Sequence, residues 1–251
     1  MPTALLISPH LDDAVFSCGA TIALLVERGW RVVVATAFTR SHHPASGFAL
    51  ECQRDKGLAD DVDYMALRRA EDSAALAALG AEARHLDLPE APMRGYDDAQ
   101  ALFADFVERD DIAASLTGAI AATMAEAGAN LLMGPSALGG HVDHRRVLDA
   151  MLDAMGDLAT AFWRDVPYAI RHEGARPDSR VTGLEACAVT VADALPRKIE
   201  AAALYASQVA FQFGDPAKVG PALEALARRD GNGVPVERFY ATPAGLRALQ
   251  P

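Results

Sequence analysis

The sequence has few cysteines and comparatively few basic residues. Its three cysteines, Cys18, Cys52 and Cys187, are odd in number and far apart, which excludes a disulfide framework or a cysteine-based zinc knuckle. Lysine and arginine number 23 against 34 aspartates and glutamates, so the formal net charge is −11. Since no basic cluster offers a face for nucleic acid or an anionic membrane, we expect neither partner. Free cysteines indicate a reducing, cytoplasmic compartment.

Long apolar runs and a secretory signal are also missing. The longest apolar run falls well short of the roughly 20 residues that a bilayer-spanning helix needs. Residues 1–8 lack the basic segment with which a signal peptide begins. Apolar residues make up 51% of the chain and charged residues 23%, proportions that exclude disordered, collagen-like and coiled-coil proteins.

Short apolar runs alternate with amphipathic segments along the chain. The pattern predicts strands at 4–8, 31–38, 83–88, 130–133, 160–163 and 187–191, and helices at 14–28, 65–79, 112–127, 141–155, 196–209 and 221–229. Apolar strands that alternate with helices are typical of a parallel sheet covered on both faces. We therefore expect an α/β fold with a Rossmann-like, mostly parallel sheet, helices on both faces and a less regular C-terminal third. Residues 237–240 are expected to form a late edge strand without a chemical role.

A first polar cluster follows the first predicted strand. His10, Asp12 and Asp13 lie directly before the first helix. A carboxylate at this position could cap the helix, and the histidine could pack in the loop. However, ligands of such sheets bind beyond the carboxyl ends of the strands, where imidazole and carboxylate could bind zinc and a second carboxylate could act as general base. Because no GxGxxG follows the strand, the sequence does not indicate dinucleotide binding.

A second polar cluster follows a later strand. His141, Asp143 and His144 come after Gly139 and Gly140, which permit a tight approach of the backbone. Taken alone, the cluster could be a surface helix that begins with two histidines. Since both clusters fall at the carboxyl ends of predicted parallel strands, the fold could bring them together as the ligands of a catalytic zinc with an open position.

Both clusters resemble motifs of one known family. Residues 10–13 (HLDD) resemble the His-Pro-Asp-Asp motif of the PIG-L/LmbE-like family of zinc-dependent N-deacetylases, and residues 140–144 are similar to its His-x-Asp-His motif. Residues 68–80 also resemble the family's Arg-x-x-Glu helix, and residues 198–208 its Lys…Ser-Gln helix. The resemblance covers roughly residues 4–210. It implies one deacetylase domain over 1–251, with a core over about 1–165 and a part over about 166–251 that completes the cleft.

The resemblance implies a role for each residue of the two clusters. His10, Asp13 and His144 are expected to bind one Zn2+ per chain and to leave one position for water, although these ligands suit other divalent ions too. Asp12 is expected to be the general base that activates this water. His141 is expected to stabilise the oxyanion or protonate the leaving amine, oriented by Asp143, whose carboxylate would raise the pKa of the histidine.

Two residues of the first motif depart from the family pattern. Leu11 stands where the family usually has proline, and Ala14 stands where it usually has glutamate. Neither change removes an expected metal ligand. We therefore expect them to affect the tuning of the site and not its metal chemistry.

Three further features could select the substrate. Residues 39–64 form a long polar segment, which fits a lid over the zinc and a solvated excursion equally well. Arg68 could hold a substrate anion or hydroxyl groups, or could pair at the surface with Glu71 or Asp72. Glu90 follows the third predicted strand, where the family commonly has an acidic residue that contacts sugar hydroxyls.

The resemblance implies a metal-dependent hydrolase that removes an N-acyl group, with acetyl expected, from a small molecule. The expected partner is an acylated amine such as an amino sugar, a GlcNAc-containing metabolite or a natural-product intermediate. An amidase acting on a larger conjugate and a non-catalytic sugar-binding protein with the same cleft are the alternatives. A nucleotide-dependent enzyme such as a methyltransferase is disfavoured because the first turn is not glycine-rich. The oligomeric state stays open, and a homo-oligomer is compatible with the sequence.

Overall fold

A seven-stranded sheet organises the chain in the computed structural model, which describes residues 1–172 and 174–250. The strands are β1 (Thr3–Ser8), β2 (Arg31–Phe38), β3 (Glu82–Leu88), β4 (Leu131–Pro135), β5 (Ala159–Trp163), β6 (Glu185–Thr190) and β7 (Val236–Ala241). Their order in the sheet is β3-β2-β1-β4-β5-β7-β6. Strands β1 to β5 are parallel to one another, whereas β7 is antiparallel to both β5 and β6. The predicted α/β fold with a mostly parallel sheet is confirmed.

Helices cover both faces of this sheet. The described residues form α1 (Asp13–Glu27), α2 (Gly47–Arg54), α3 (Tyr64–Leu79), α4 (Ile112–Ala127), α5 (Val142–Ala154), α6 (Tyr168–Arg171), α7 (Ser179–Thr182), α8 (Leu195–Ala203), α9 (Ala206–Phe213), α10 (Val219–Asp230) and α11 (Pro243–Leu249). Alternate residues of β1 point to opposite faces, so Leu6 packs with α1, α3 and α8, whereas Leu5 packs with α4 and α5. Within the described part of the chain, no helix has both the length and the apolar character needed to cross a bilayer.

The order of the strands creates a crevice beside β1. The chain passes from β1 to β2 and β3 on one side, and later adds β4 and β5 on the other side. In open α/β sheets, ligands bind outside the carboxyl ends of the strands at such a reversal. The loops after β1 and β4 both open there, and these two loops carry the polar clusters of the sequence.

Two predictions for the C-terminal third are wrong. The helix expected over 196–209 is interrupted near Tyr205, which leaves helical geometry (φ −80°, ψ 60°) and donates its buried hydroxyl to Asp72 Oδ1 at 2.8 Å. The late strand expected at an edge instead lies between β5 and β6, because β7 pairs with both. In each case a contact with a distant part of the chain decides the local structure.

A buried ion pair supports α1 where this helix departs from regular geometry at Cys18 (φ −137°, ψ 27°). The Glu237 carboxylate accepts hydrogen bonds from the backbone N–H groups of Ala20 and Thr21 at 3.2 and 2.8 Å. The same carboxylate accepts from Lys198 Nζ at 2.7 Å. Glu237 therefore caps the second half of α1, and Lys198 neutralises its buried charge. The sequence prediction for residues 237–240 did not include this packing role of Glu237.

Replacing Lys198 with methionine is expected to lower the free energy of unfolding by about 3–5 kcal/mol, because it leaves the Glu237 carboxylate buried and unpaired. Urea denaturation followed by circular dichroism measures the effect. Arg54→Met is the matched control, since the Arg54–Asp60 pair is more than half exposed on both sides and is worth about 1 kcal/mol or less. Equal losses in the two variants would contradict the structural role of the buried pair.

Candidate metal centre and active site

Side chains of the two polar clusters meet where β1 and β4 end. His10 Nδ1 lies 3.1 Å from Asp13 Oδ2, and His144 Nε2 lies 3.2 Å from the same oxygen. Ligand atoms of these three residues all lie within 4.8 Å of one another. A second group that meets the same limit consists of His10, His141 and Asp143. The fold therefore brings together every metal ligand expected from the sequence, and it offers two ways to group them.

The hydrogen bonds of the histidines favour the first group. His10 Nε2 contacts Asp143 Oδ2 at 2.9 Å, and His144 Nδ1 contacts Asp165 Oδ1 at 2.7 Å. Histidines that bind metals commonly donate their other ring N–H to a carboxylate in this way. Both imidazoles consequently turn their remaining nitrogen toward Asp13. Two imidazole nitrogens and one carboxylate oxygen suit a divalent ion that keeps a position open.

The electrostatics around these three residues favour positive charge. Burial alone would lower the pKa of His144, but Asp13 and Asp165 raise it to about 9. Burial likewise opposes the shift at His10, yet Asp13 and Asp143 raise its pKa well above the usual value. Burial alone would raise the pKa of Asp13, but His144 and His10 hold it well below its usual range. Such a group of side chains fits a cation.

Asp12 lies beside this group and is held by an arginine. One carboxylate oxygen lies 3.5 Å from Arg68 Nη2, and the other, Oδ2, is buried without a hydrogen-bond partner among the described residues. Burial raises the pKa of Asp12 to about 6, although the charge of Arg68 opposes this shift. A carboxylate with such a pKa can take up a proton near neutral pH. Asp12 is therefore suited to general-base chemistry.

Arg68 is buried and not part of a surface pair. It donates to Glu90 Oε1 at 2.8 Å, so both residues expected to contact substrate lie together on the wall of one cavity. The alternative pairing of Arg68 with Glu71 or Asp72 at the surface is wrong. Those two acidic side chains instead accept hydrogen bonds from Ser207 and Tyr205 of the C-terminal third.

Asp143 contacts His141 through its backbone and not through its carboxylate. Its N–H donates to His141 Nδ1 at 3.1 Å, whereas its carboxylate contacts His10 and accepts from Arg94 Nη2 at 2.7 Å. Burial lowers the pKa of His141 to about 3 and outweighs the charge of Asp143, which raises this pKa as expected, so the net raised pKa is wrong. Because Nδ1 accepts a hydrogen bond, a neutral His141 carries its proton on Nε2. It is a neutral hydrogen-bond donor at the cavity.

Sequence reasoning missed two residues that hold the ligands in place. Asp165 accepts hydrogen bonds from Ser136 and Leu138 in addition to its contact with His144. Arg94 binds Asp143 and so fixes the carboxylate that contacts His10 Nε2. Asp165 follows the carboxyl end of β5, so the strand-end argument that singled out His10 applies to it as well.

A cavity of about 270 Å³ opens above these side chains. Residues 39–64 line one side of it with Phe48, Cys52, Asp55, Lys56 and Tyr64, and they include helix α2. The segment therefore contributes to the wall of the cavity, although many of its residues are exposed, and its movement as a lid stays a prediction. The residues that depart from the family motif, Leu11 and Ala14, are buried and not among the described residues that line the cavity.

The C-terminal third also lines the cavity. Its contributions are Tyr168, Arg171, Gln208, Phe211 and Gln212. Burial raises the pKa of Tyr168 well above its usual value, and the nearby charges of Asp13 and Asp165 reinforce the shift. The less regular part of the chain thus completes the surroundings of the polar clusters.

The fold and the site define an α/β protein with a divalent-metal site beside β1, where the order of the strands in the sheet reverses. Residues 5–155 match the family described as "PIG-L: GlcNAc-PI de-N-acetylase". The chain is 34% identical over 212 residues to a 2'-N-acetylparomamine deacetylase from Streptomyces fradiae. The aligned region covers 81% of this chain and 72% of that protein. The chain belongs to the PIG-L family of de-N-acetylases, as its motifs indicate.

Solved structures of two deacetylases share the fold over nearly the whole chain. The teicoplanin deacetylase Orf2, in a zinc-inhibited form, matches with a TM-score of 0.82 and 28% identity over 95% of this chain and 97% of that one. The A40926 pseudoaglycone deacetylase Dbv21 matches with a TM-score of 0.81 and 31% identity over 95% of this chain and 96% of that one. The strands and helices of the C-terminal third are therefore part of the shared architecture.

Proposed function

We propose that this chain is a zinc-dependent N-deacetylase that releases acetate from an N-acetyl amino sugar in a natural-product intermediate. One observation carries the proposal: ligand atoms of His10, Asp13 and His144 lie close together. A carboxylate contacts the other ring nitrogen of each histidine. The names of the relatives support the substrate class, since they refer to 2'-N-acetylparomamine, teicoplanin and the A40926 pseudoaglycone.

In this proposal, His10, Asp13 and His144 hold one zinc ion per chain. When bound, zinc polarises the acyl carbonyl and lowers the pKa of a water molecule. Ligands of this kind also accept other divalent ions, so the identity of the metal belongs to the proposal. The second group, with His141 and Asp143, is not assigned a metal, because Asp143 is already engaged with Arg94 and His10.

Asp12 transfers a proton during hydrolysis, and His141 stabilises the developing negative charge. Asp12 removes a proton from the attacking water, whose oxygen forms a bond to the carbonyl carbon. His141 donates a hydrogen bond from Nε2 to the negative charge that develops on the carbonyl oxygen. The C–N bond then breaks, and the amine leaves with the proton that Asp12 took up. Arg68 and Glu90 bind hydroxyl groups of the sugar on the wall of the cavity.

Removal of the metal is expected to abolish acetate release reversibly. The assay measures acetate formed from 2'-N-acetylparomamine and from simple N-acetylglucosaminides, before and after dialysis against a chelator. We expect activity to disappear with the zinc and to return when one equivalent per chain is added. Full activity of chelator-treated, zinc-free protein would contradict the proposal. Absence of hydrolysis of every N-acetyl sugar by zinc-loaded protein would favour the non-catalytic sugar-binding alternative.

A further inference from the structure

Tyr168 lines the catalytic cavity, and the mechanism above gives it no role. It is the first residue of α6 and follows β5 by a short loop that also contains Asp165. It shares the cavity with Asp12 and His141. A phenol in this position places a polar group beside the reacting atoms on the C-terminal side of the cavity.

The hydroxyl of Tyr168 differs from those of Tyr64, Tyr96 and Tyr205. Tyr96 donates to Asp110 at 2.7 Å, Tyr205 donates to Asp72 at 2.8 Å, and Tyr64 contacts Gln208. By contrast, the Tyr168 hydroxyl forms no hydrogen bond with any residue of 1–172 or 174–250. Tyr168 is partly buried and lines the cavity, so its hydroxyl is free to donate to water or to a substrate bound there.

The ring of Tyr168 is held in place by three neighbours. It packs edge-on against His144 with ring centroids 5.5 Å apart, and against Phe103 with centroids 6.0 Å apart. It also fills the space beside Gly139, where an added Cβ would lie only 2.5 Å from the Tyr168 Cγ. Gly139 adopts a positive φ of 94°, so the backbone there also favours glycine. The fixed ring gives the hydroxyl a defined direction.

The same ring cluster includes His141, which approaches both neighbours of Tyr168. Its ring centroid lies 5.6 Å from that of His144 and 5.4 Å from that of Phe103. His144 thus has His141 on one flank and Tyr168 on another. His141 and Tyr168 therefore both pack against His144, and both line the cavity.

We propose that Tyr168 is a substrate-contacting residue whose hydroxyl donates a hydrogen bond to the carbonyl oxygen of the N-acyl group. This inference rests on the proposed deacetylase function and adds a second donor to His141. The hydroxyl keeps its own proton throughout, and its hydrogen bond strengthens as negative charge develops on the carbonyl oxygen. Donors of this kind act mainly on the transition state, so their loss lowers kcat more than it raises KM.

Tyr168→Phe removes only the hydroxyl and keeps the ring that packs on Gly139. We expect kcat for acetate release to fall by about 10²- to 10³-fold, with KM changed by less than about threefold and an unchanged zinc content. Tyr240→Phe is the matched control, because Tyr240 lies on β7 and is not among the described residues that line the cavity. The control variant is expected to keep the wild-type kcat.

Gly139→Ala tests the placement of the ring independently. Its methyl group competes with the Tyr168 ring for space, so kcat is expected to fall while zinc stays bound. In the double variant with Tyr168→Phe, the two losses should combine to much less than their product, since both act through one hydroxyl.

Different results would overturn the role of Tyr168 and the deacetylase function. Wild-type kcat in Tyr168→Phe, with the wild-type protein active, overturns the role of Tyr168 and leaves the deacetylase proposal intact. A raised KM with an unchanged kcat also overturns it, because the hydroxyl would then contribute uniform binding only. Inactivity of the zinc-loaded wild-type protein on all N-acetyl sugars overturns the proposed function itself.

Discussion

Asp12→Asn is expected to lower kcat by about 10²- to 10⁴-fold and to leave the zinc content unchanged. The amide has nearly the same size as the carboxylate, but it cannot accept the proton of the attacking water. Burial raises the pKa of Asp12 to about 6, so the wild-type group exchanges protons in the neutral range. Acetate release gives kcat, and elemental analysis gives the zinc content of the same preparation.

Asp55→Asn is the matched control for this prediction. Asp55 lines the same cavity but is exposed and is not assigned to metal binding or proton transfer. We expect its kcat to stay within about twofold of wild type, as is usual for a surface change away from the reacting atoms. Full activity of Asp12→Asn would contradict its role as general base. Loss of zinc from Asp12→Asn would instead make this residue a ligand.

The second large effect is expected for His144→Ala, which should lose zinc and reduce acetate release to the uncatalysed background. His144 is almost completely buried, with 1% of its surface exposed, and it contributes Nε2 beside Asp13. Its removal leaves His10 and Asp13 as the only ligands of the proposed site. Elemental analysis and circular dichroism measured together separate loss of metal from loss of fold.

His141→Ala distinguishes the two groupings of ligands. If His10, Asp13 and His144 bind the metal, His141→Ala keeps its zinc and loses only the donor to the carbonyl oxygen, with a fall in kcat of about 10²- to 10³-fold. If the other group binds the metal, His141→Ala loses zinc whereas His144→Ala retains it. That second result would contradict the ligand assignment.

Much of the fold could be predicted from the sequence because its local signals agree. Asp63 accepts a hydrogen bond from the Ala66 N–H at the start of α3, and Gly80 ends this helix at a positive φ of 79°. Both residues favour these positions intrinsically, and the apolar pattern between them has a helical period. The carboxyl ends of β1 and β4 then had to meet at one edge, and this geometric rule predicted the convergence of the two polar clusters.

The remaining details depend on contacts between residues far apart in the chain. No local pattern shows that the Asp143 carboxylate turns to His10 and Arg94, which leaves only its backbone N–H for His141. The interruption near Tyr205 follows from its hydrogen bond to Asp72, 133 positions away. The same is true of Asp165 in the loop after β5, whose partner His144 lies on helix α5.

The position of the bound metal tests the central claim most directly. Anomalous diffraction at the zinc edge, from crystals of protein loaded with one equivalent of zinc, locates the ion. We predict one site per chain, about 2.0–2.1 Å from His10 Nδ1 and His144 Nε2 and about 2.0–2.2 Å from an Asp13 oxygen. A site between His10 Nε2, His141 and Asp143, or no site at the carboxyl ends of β1 and β4, would contradict the account.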